Sequence, residues 1–496
     1  MKKMNLLVMS LVSAAALSFS SCSSNDDLTG GGTQSQADGV YMTLKISGAT
    51  SHETRTGVTD KKTTAENGSV AESTITEGMM YIYDGNTCVF RKVITKEMFQ
   101  TQPSQTTAGV TKPIKVAVTG AITTGKKYDV YFLANRTNID DPIAATSIFT
   151  STTGGADFAT EKAFVMFNQN DGTKAAAHSK VEFTDAAKSE AHPAAADEIK
   201  LDRVVARIDN PSFDETVTTV TPAENTTTSI NVADVVAGIS YEGFAVSNLN
   251  NNSYVMQNWD KNFETLNVKW GEPKYYLPKS DYGTLYKAEG LANFSSKENP
   301  VSWKYAFENT TANVDEATAV YFKVKVALTE TANNASDFRD GTFYRYDGRL
   351  YTSIQAIYND AATGAISNPF TETNSITPAQ VVAMITKDGK LTDDEAKLAK
   401  FREDYKIEVY RQGVMYYRWA ISDNAYKPFI ASETTHTYSV LRNSIYRLKV
   451  TKVSEIGKDV PNGPEPDDPV KNPNFYMNVT VSINPWVLNA QPIELK

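Results

Sequence analysis

The chain has 496 residues and a formal net charge of -9, so it exceeds one comfortable core and lacks the basic stripe that nucleic-acid phosphates demand. Its two cysteines exclude a disulfide framework, and stability must come from sheet cores. With 25 Tyr, 21 Phe and short alternating segments between turn signals, it reads as a mainly antiparallel β protein of two domains, three at most.

The chain opens with Lys2 and Lys3, then an apolar run over residues 6–17, then Ser18, Phe19, Ser20, Ser21 and Cys22. A charged start, a short apolar stretch and small residues before the break mark a secretory signal over residues 1–21. Cys22, directly after it, looks like the acylation site of a bacterial lipoprotein, which would anchor the chain to a membrane through lipid. Residues 23–38 read as a polar, Gly-rich tether.

Residues 40–46, VYMTLKI, alternate cleanly: Val40, Met42, Leu44 and Ile46 on one face, Tyr41, Thr43 and Lys45 on the other. The polar stretch after them has no apolar pattern and reads as an exposed loop carrying Arg55, a good site for a trypsin-like protease. Strands are expected at 78–83, 88–94, 114–118, 127–135, 164–167, 181–183 and 199–209. The last ends at Asn210-Pro211, which suits a domain boundary. Further strands are expected at 235–249, 253–256, 301–307, 318–328, 342–351, 405–420 and 436–453. A helix is expected over 392–401 with Thr392 as N-cap and Glu395 closing a capping box, and a helical segment over 377–385. The Pro-rich stretch 461–474 reads as an extended spacer. Behind it, Phe475, Met477, Val479, Val481, Ile483 and Val487 alternate with polar residues, a second strand as regular as the first.

No catalytic signature is present. The HExxH, GxSxG, GxxxxGK[ST] and GxGxxG patterns are all absent, and residues 120–127, GAITTGKK, read as a hairpin loop because Lys127 stands where a magnesium-holding hydroxyl belongs. The carboxylates around Asp388-Gly389 lack the alternating oxygen ligands of a calcium loop, so neither a metal nor a cofactor is expected. Cys88 lies in a strand with no His nearby and reads as a small apolar residue. Five tryptophans, at 259, 270, 303, 419 and 486, are scattered as core or interface anchors are.

The order Val414-Met415-Tyr416-Tyr417-Arg418-Trp419, then Val440-Leu441-Arg442-Asn443-Ser444-Ile445-Tyr446, then the Pro-rich spacer, then Val479-Thr480-Val481 and Asn484-Pro485-Trp486, resembles the fimbrilins of Bacteroidota. The resemblance is closest to the shaft subunit of the minor fimbria, with the major fimbrilins as a wider circle. It implies a type V pilus subunit with two transthyretin-like antiparallel β-sandwich domains and a few short helices. The chain would divide into a signal peptide (1–21), a lipidated propeptide with the first strand (22–55), an N-terminal sandwich (56–211), a C-terminal sandwich (212–460), the spacer (461–474) and C-terminal strands including a donor (475–496).

The resemblance further implies cleavage by an Arg-specific protease between Arg55 and Thr56, loss of the strand bearing Val40, Met42, Leu44 and Ile46 together with the lipid on Cys22, and polymerisation as a neighbour's carboxy-terminal strand fills the gap. Donor residues would come from Val479, Val481, Ile483, Trp486, Val487, Ile493 and Leu495. Two divisions of that tail stand open: the whole of 475–496 is given away, or 475–487 completes the chain's own second domain and 488–496 alone reaches across. The implied product is an adhesive, virulence-associated fimbrium on the outer membrane and cell surface. Its partners would be other copies of the chain, accessory or anchor subunits and host or bacterial surface ligands. A tip adhesin and a non-polymerising glycan-binding lipoprotein are the alternatives.

Overall fold

The computed structural model describes residues 39–48, 66–100, 113–144, 146–170, 179–213, 235–257, 294–295, 301–311, 314, 317–370, 376–421, 438–453, 456–460 and 477–487. The expected signal, Cys22, Arg55, Thr56, the spacer, Ile493, Leu495, Trp259 and Trp270 lie outside these residues.

The amino-terminal half contributes β1 (Val40–Leu44), β2 (Ile46–Gly48), β3 (Glu66–Asn67), β4 (Gly78–Asp84), β5 (Thr87–Ile94), β6 (Ile114–Val118), β7 (Lys126–Ala134), β8 (Ile148–Thr150), β9 (Met166–Asn168), β10 (Ser179–Phe183), β11 (Ala194–Ala195) and β12 (Ile199–Arg203). One sheet has the order β11-β1-β6; the other runs β2-β12-β9-β7-β4-β5, with β10 also on β7. Both line a single core, in which Val40, Met42, Leu44, Val116 and Val118 from the first sheet share space with Met80, Ile82, Phe132, Val181 and Leu201 from the second. Two sheets burying their apolar faces against each other make a β-sandwich. Packing between β4 and β7 is tight enough to require a glycine, since a Cβ on Gly78 would stand 2.3 Å from the Phe132 ring. The 120–127 loop is not a hairpin: β6 and β7, which it joins, belong to different sheets, so it crosses the sandwich.

The expected strand over 199–209 is broken at Val204-Val205, where the chain leaves β12 and enters β13 (Ala206–Asp209). Val205 packs in the first core and Ala206 in a second, ahead of Asn210-Pro211. From there the chain contributes β14 (Ser212–Phe213), β15 (Val236–Ser247), β16 (Asn252–Tyr254), β17 (Trp303–Ala306), β18 (Asn309–Thr311), β19 (Ala319–Leu328) and later strands. Those later strands are β20 (Phe343–Tyr346), β21 (Arg349–Tyr351), β22 (Thr386–Lys387), β23 (Lys390–Leu391), β24 (Glu408–Tyr410), β25 (Val414–Ala420), β26 (Tyr438–Val440), β27 (Ser444–Val453) and β28 (Met477–Val487). One sheet has the order β17-β13-β27-β28-β3 and faces a sheet ordered β15-β19-β25.

Residues between β19 and β25 form a small helical unit with a core of its own around Tyr344, Ile354, Val381, Leu398, Phe401 and Tyr405. The helix Ile354–Thr363, started by Ser353 and closed by Gly364, carries no capping box and went unanticipated. The helix Pro378–Met384 has the expected capping box between Thr377 and Gln380. The next helix differs from expectation. It runs Glu395–Tyr405 with Asp394 as N-cap, because the Asp394 carboxylate accepts from two amides, of Ala396 and Lys397, while Glu395 turns inward to Arg411 at 2.6 Å. The helix therefore consumes the start of the strand expected over 405–420, and a tight turn with Gln412 and Gly413 at positive φ separates β24 from β25. A turn at residues 441–443 likewise divides the strand expected over 436–453.

The two sandwiches are locked by buried arginines. Arg203 is fully buried and donates through Nε to the Glu72 carbonyl at 2.9 Å and through Nη2 to the Ser73 hydroxyl at 3.1 Å. It also donates to Asn443 Oδ1, whose amide donates on to Asp202 at 2.6 Å. Burial pushes the Glu72 carboxyl up, but the Ser69 amide and the Arg207 and Arg203 guanidiniums outweigh it and hold it below its ordinary range. A second pair, Arg442 and Glu308, is almost wholly enclosed, with Arg442 also donating to the Val255 and Tyr254 carbonyls and the Ser253 hydroxyl.

Removing Glu308 strands a buried guanidinium, so Glu308→Ala is expected to cost about 3–5 kcal/mol in denaturant unfolding, whereas removing the exposed Asp393 should leave the transition nearly unchanged. Burial pushes the Glu395 carboxyl from 4.5 up to about 7, against the lowering effect of Arg411 and Arg402. Between those two values the folded chain binds the proton that the unfolded chain has lost, so this contribution to stability is present below 4.5 and lost as pH rises to about 7. Thermal unfolding of Glu395→Gln should lack that part of the pH dependence.

Candidate assembly site

The alternation read from residues 40–46 is realised as two strands. In β1 the inward residues Val40, Met42 and Leu44 are at most 3 % exposed, while Tyr41 and Thr43 stay half-exposed. After Lys45 the chain crosses between sheets, and Ile46, 1 % exposed, begins β2. β1 is the middle strand of its sheet. It pairs antiparallel with β6 over five positions, from Val40 opposite Val118 to Leu44 opposite Ile114, and parallel with β11 at Met42 and Thr43. β2 lies along the outer edge of β12, parallel, with Ile46 opposite Ile199. The Ala196 amide donates to the Thr43 carbonyl and the Ile199 amide to the Lys45 carbonyl, so one continuous stretch satisfies backbone groups of both sheets.

The energetics make this stretch both necessary and replaceable. Burying four aliphatic side chains is worth about 6–12 kcal/mol before ordering costs. Among the described strands β6 and β11 pair only with β1, so its removal leaves two facing edges about 9–10 Å apart, the width of one strand, floored by apolar pockets. On the solvent side Lys45 pairs with Glu198 at 2.7 Å and Lys115, on β6, with Glu190 at 3.5 Å.

At the other end of the chain β28 is an eleven-residue strand antiparallel to β27. Val479 stands opposite Val450, Val481 opposite Leu448 and Ile483 opposite Tyr446; Trp486 and Val487 pair parallel with Glu66 and Asn67 of β3. The expected displaced strand and the described expected donor residues, Val479 to Val487, thus sit in different sandwiches, each already paired within its own chain. The parallel wall β11 was not legible in the sequence, because Ala194-Ala195 carries neither bulk nor alternation. The crossover into β2 was signalled only by the apolar Ile46 after Lys45.

Among the described residues no group of three or more His, Cys, Asp or Glu is placed to hold a metal ion. Cys88 is a half-buried thiol in β5, packed against the first core, and its Sγ donates to the Phe90 carbonyl.

Residues 408–492, from β24 through β28, match the family model described as major fimbrial subunit protein type IV, fimbrillin, C-terminal. The carboxy-terminal region is fimbrilin-like. The match takes in the Tyr416-Tyr417, Trp419 and Val440-Leu441-Arg442-Asn443 motifs and bears out the resemblance drawn from them. No curated protein matches the chain. Among solved structures, a fimbrilin (FimA) from Porphyromonas gingivalis is similar at 15% identity and a TM-score of 0.42, over 91% of this chain and 99% of that one. A fimbrial assembly protein from Parabacteroides distasonis follows at 11% identity and 0.33, over 84% and 93%. The tip fimbrial protein Mfa3 of P. gingivalis, with a C-terminal truncation, is similar at 12% identity and 0.32, over 90% and 100%. All three TM-scores are low, and no residue role is carried across from them.

The slot's floor gives the clearest energetic expectation. Leu44→Ala in the uncut chain should cost about 2–5 kcal/mol, and Tyr41→Ala much less, in equilibrium unfolding of the first sandwich.

Proposed function

We propose that this chain is a structural, non-catalytic subunit of a cell-surface fimbria. It is exported as a lipoprotein precursor acylated at Cys22, cut between Arg55 and Thr56 by an Arg-specific protease, and polymerised by donor-strand exchange. The observation that carries the reading is the position of β1: it is the central strand of a sheet whose two flanks, among the described strands, pair only with it, and it precedes the Arg55 stretch. A cut there removes β1 and β2 as one piece and opens a slot that a strand from another copy can fill. Because the donor and the slot lie at opposite ends of the chain, the exchange is head-to-tail and does not close, which builds a filament. The fimbrium extends from the outer membrane, contacts accessory or anchor subunits, and presents the chain for adhesion to host or bacterial surfaces.

Of the two divisions of the carboxy-terminal segment, the pairing of β28 with β27 favours the second. Val479, Val481, Ile483, Trp486 and Val487 complete the chain's own second sandwich, and residues 488–496, with Ile493 and Leu495, are given away. Deleting 488–496 should leave a folded protein that stays monomeric after protease treatment, read by size-exclusion chromatography and electron microscopy. Deleting 477–496 should also lower the unfolding transition of the second sandwich. Arg55→Ala protein should neither lose β1 nor polymerise in the presence of an Arg-specific protease; normal filaments from it, or from the 488–496 deletion, would sink the reading.

A further inference from the structure

The walls of the slot carry charges that read a register. Thr43 of β1 stands directly opposite Lys115 of β6, and Lys45 pairs with Glu198 at 2.7 Å where the chain crosses to the second sheet. Met42 and Leu44 alternate with them on the buried side, both fully enclosed. Read in order, residues 42–45 are apolar, polar facing Lys115, apolar, and cationic facing Glu198. The segment given away under the proposed function contains one run with the same pattern, Ile493-Glu494-Leu495-Lys496.

Resting on that reading, we propose that the donated segment of a second copy enters the slot in the direction of β1 with Ile493, Glu494, Leu495 and Lys496 taking the places of Met42, Thr43, Leu44 and Lys45. Lys115 and Glu198 are then the residues that set the register. In this alignment Ile493 and Leu495 take the buried places of Met42 and Leu44, Glu494 lies across from Lys115, a favourable cross-strand pair, and Lys496 restores the partner that Glu198 loses with Lys45.

The neighbouring alignments are disfavoured. A slip of one residue turns Ile493 and Leu495 to solvent. A slip of two toward Ile46 sets Glu494 against Glu198, and a slip of two toward Val40 sets Lys496 against Lys115. Like charges placed across a ladder are destabilising, so the same two side chains favour one alignment and oppose the two nearest that keep the apolar face inward. Both pairs are partly exposed, as Lys45 and Glu198 are now at 43% and 32%, so they select an alignment while the apolar pockets supply most of the binding.

The test uses the full-length chain with Cys88→Ser, matured by an Arg-specific protease and oxidised during assembly. Lys115→Cys with Glu494→Cys should give disulfide-linked ladders on a non-reducing gel, and Ala117→Cys with Glu494→Cys should give none. Ladders from the Ala117 pair, or polymers without ladders from the Lys115 pair, overturn the register. As an independent readout, Glu198→Lys should slow assembly several-fold and Lys496→Glu added to it should restore the rate; unchanged rates in both overturn the role of Glu198. Filaments from a chain lacking residues 488–496 would instead refute donation of this segment itself, a result distinguishable from a wrong register.

Discussion

The first sandwich depends on a strand that touches everything around it and belongs to neither of the elements it joins. β1 is held by hydrogen bonds on both edges and by apolar contacts on one face, and its continuation β2 closes the edge of the facing sheet. A backbone group left unpaired in such a site costs as much as a lost hydrogen bond, and each emptied pocket adds the loss of a buried methyl-rich side chain. The slot is therefore not stable empty. The physical demand is for some strand of alternating pattern, not for this particular one, and an exchange of strands satisfies the demand at every step except the interval between them.

The second constraint is the junction at Val204-Val205. The chain changes core within one peptide unit there, and it can do so because Arg203 and Arg207 supply donors for groups contributed by distant parts of the sequence: the Glu72 region, Asp209 and Asn443. A network of this kind is costly to break one member at a time, since every remaining partner stays buried. It couples residues 69–73 to the turn that leads into β27.

Much of this was legible in the sequence where a single physical rule acts alone. The two-residue period marked β1 and β28, and the strands expected over 78–83 and 88–94 are realised as the paired β4 and β5. Expectation failed where two rules compete. Thr392 and Asp394 are both good N-caps, and the one chosen is the one that lets Glu395 reach Arg411 across the fold. The run over 199–209 alternates at its two ends but breaks at Arg203-Val204-Val205-Ala206, and it is divided there because its two ends serve different cores. The assembly site was half legible: the residues that fill the slot announce themselves by alternation, whereas the wall that receives them, Ala194-Ala195, is visible only once the chain is folded.

The ladder between β27 and β28 has a mechanical meaning. The two strands are antiparallel and paired from Ser444 opposite Pro485 to Val453 opposite Met477, and residues 488–496 follow β28 in the sequence. Under the proposed donation, a pull from a neighbouring copy directed along β28 would load the inter-strand hydrogen bonds together, in shear, rather than one at a time as in an unzipping hairpin. β3, lying parallel beside Trp486 and Val487, braces the point where that load enters. A filament joined in this way would resist tension best along its own length, the direction in which a surface appendage is stretched.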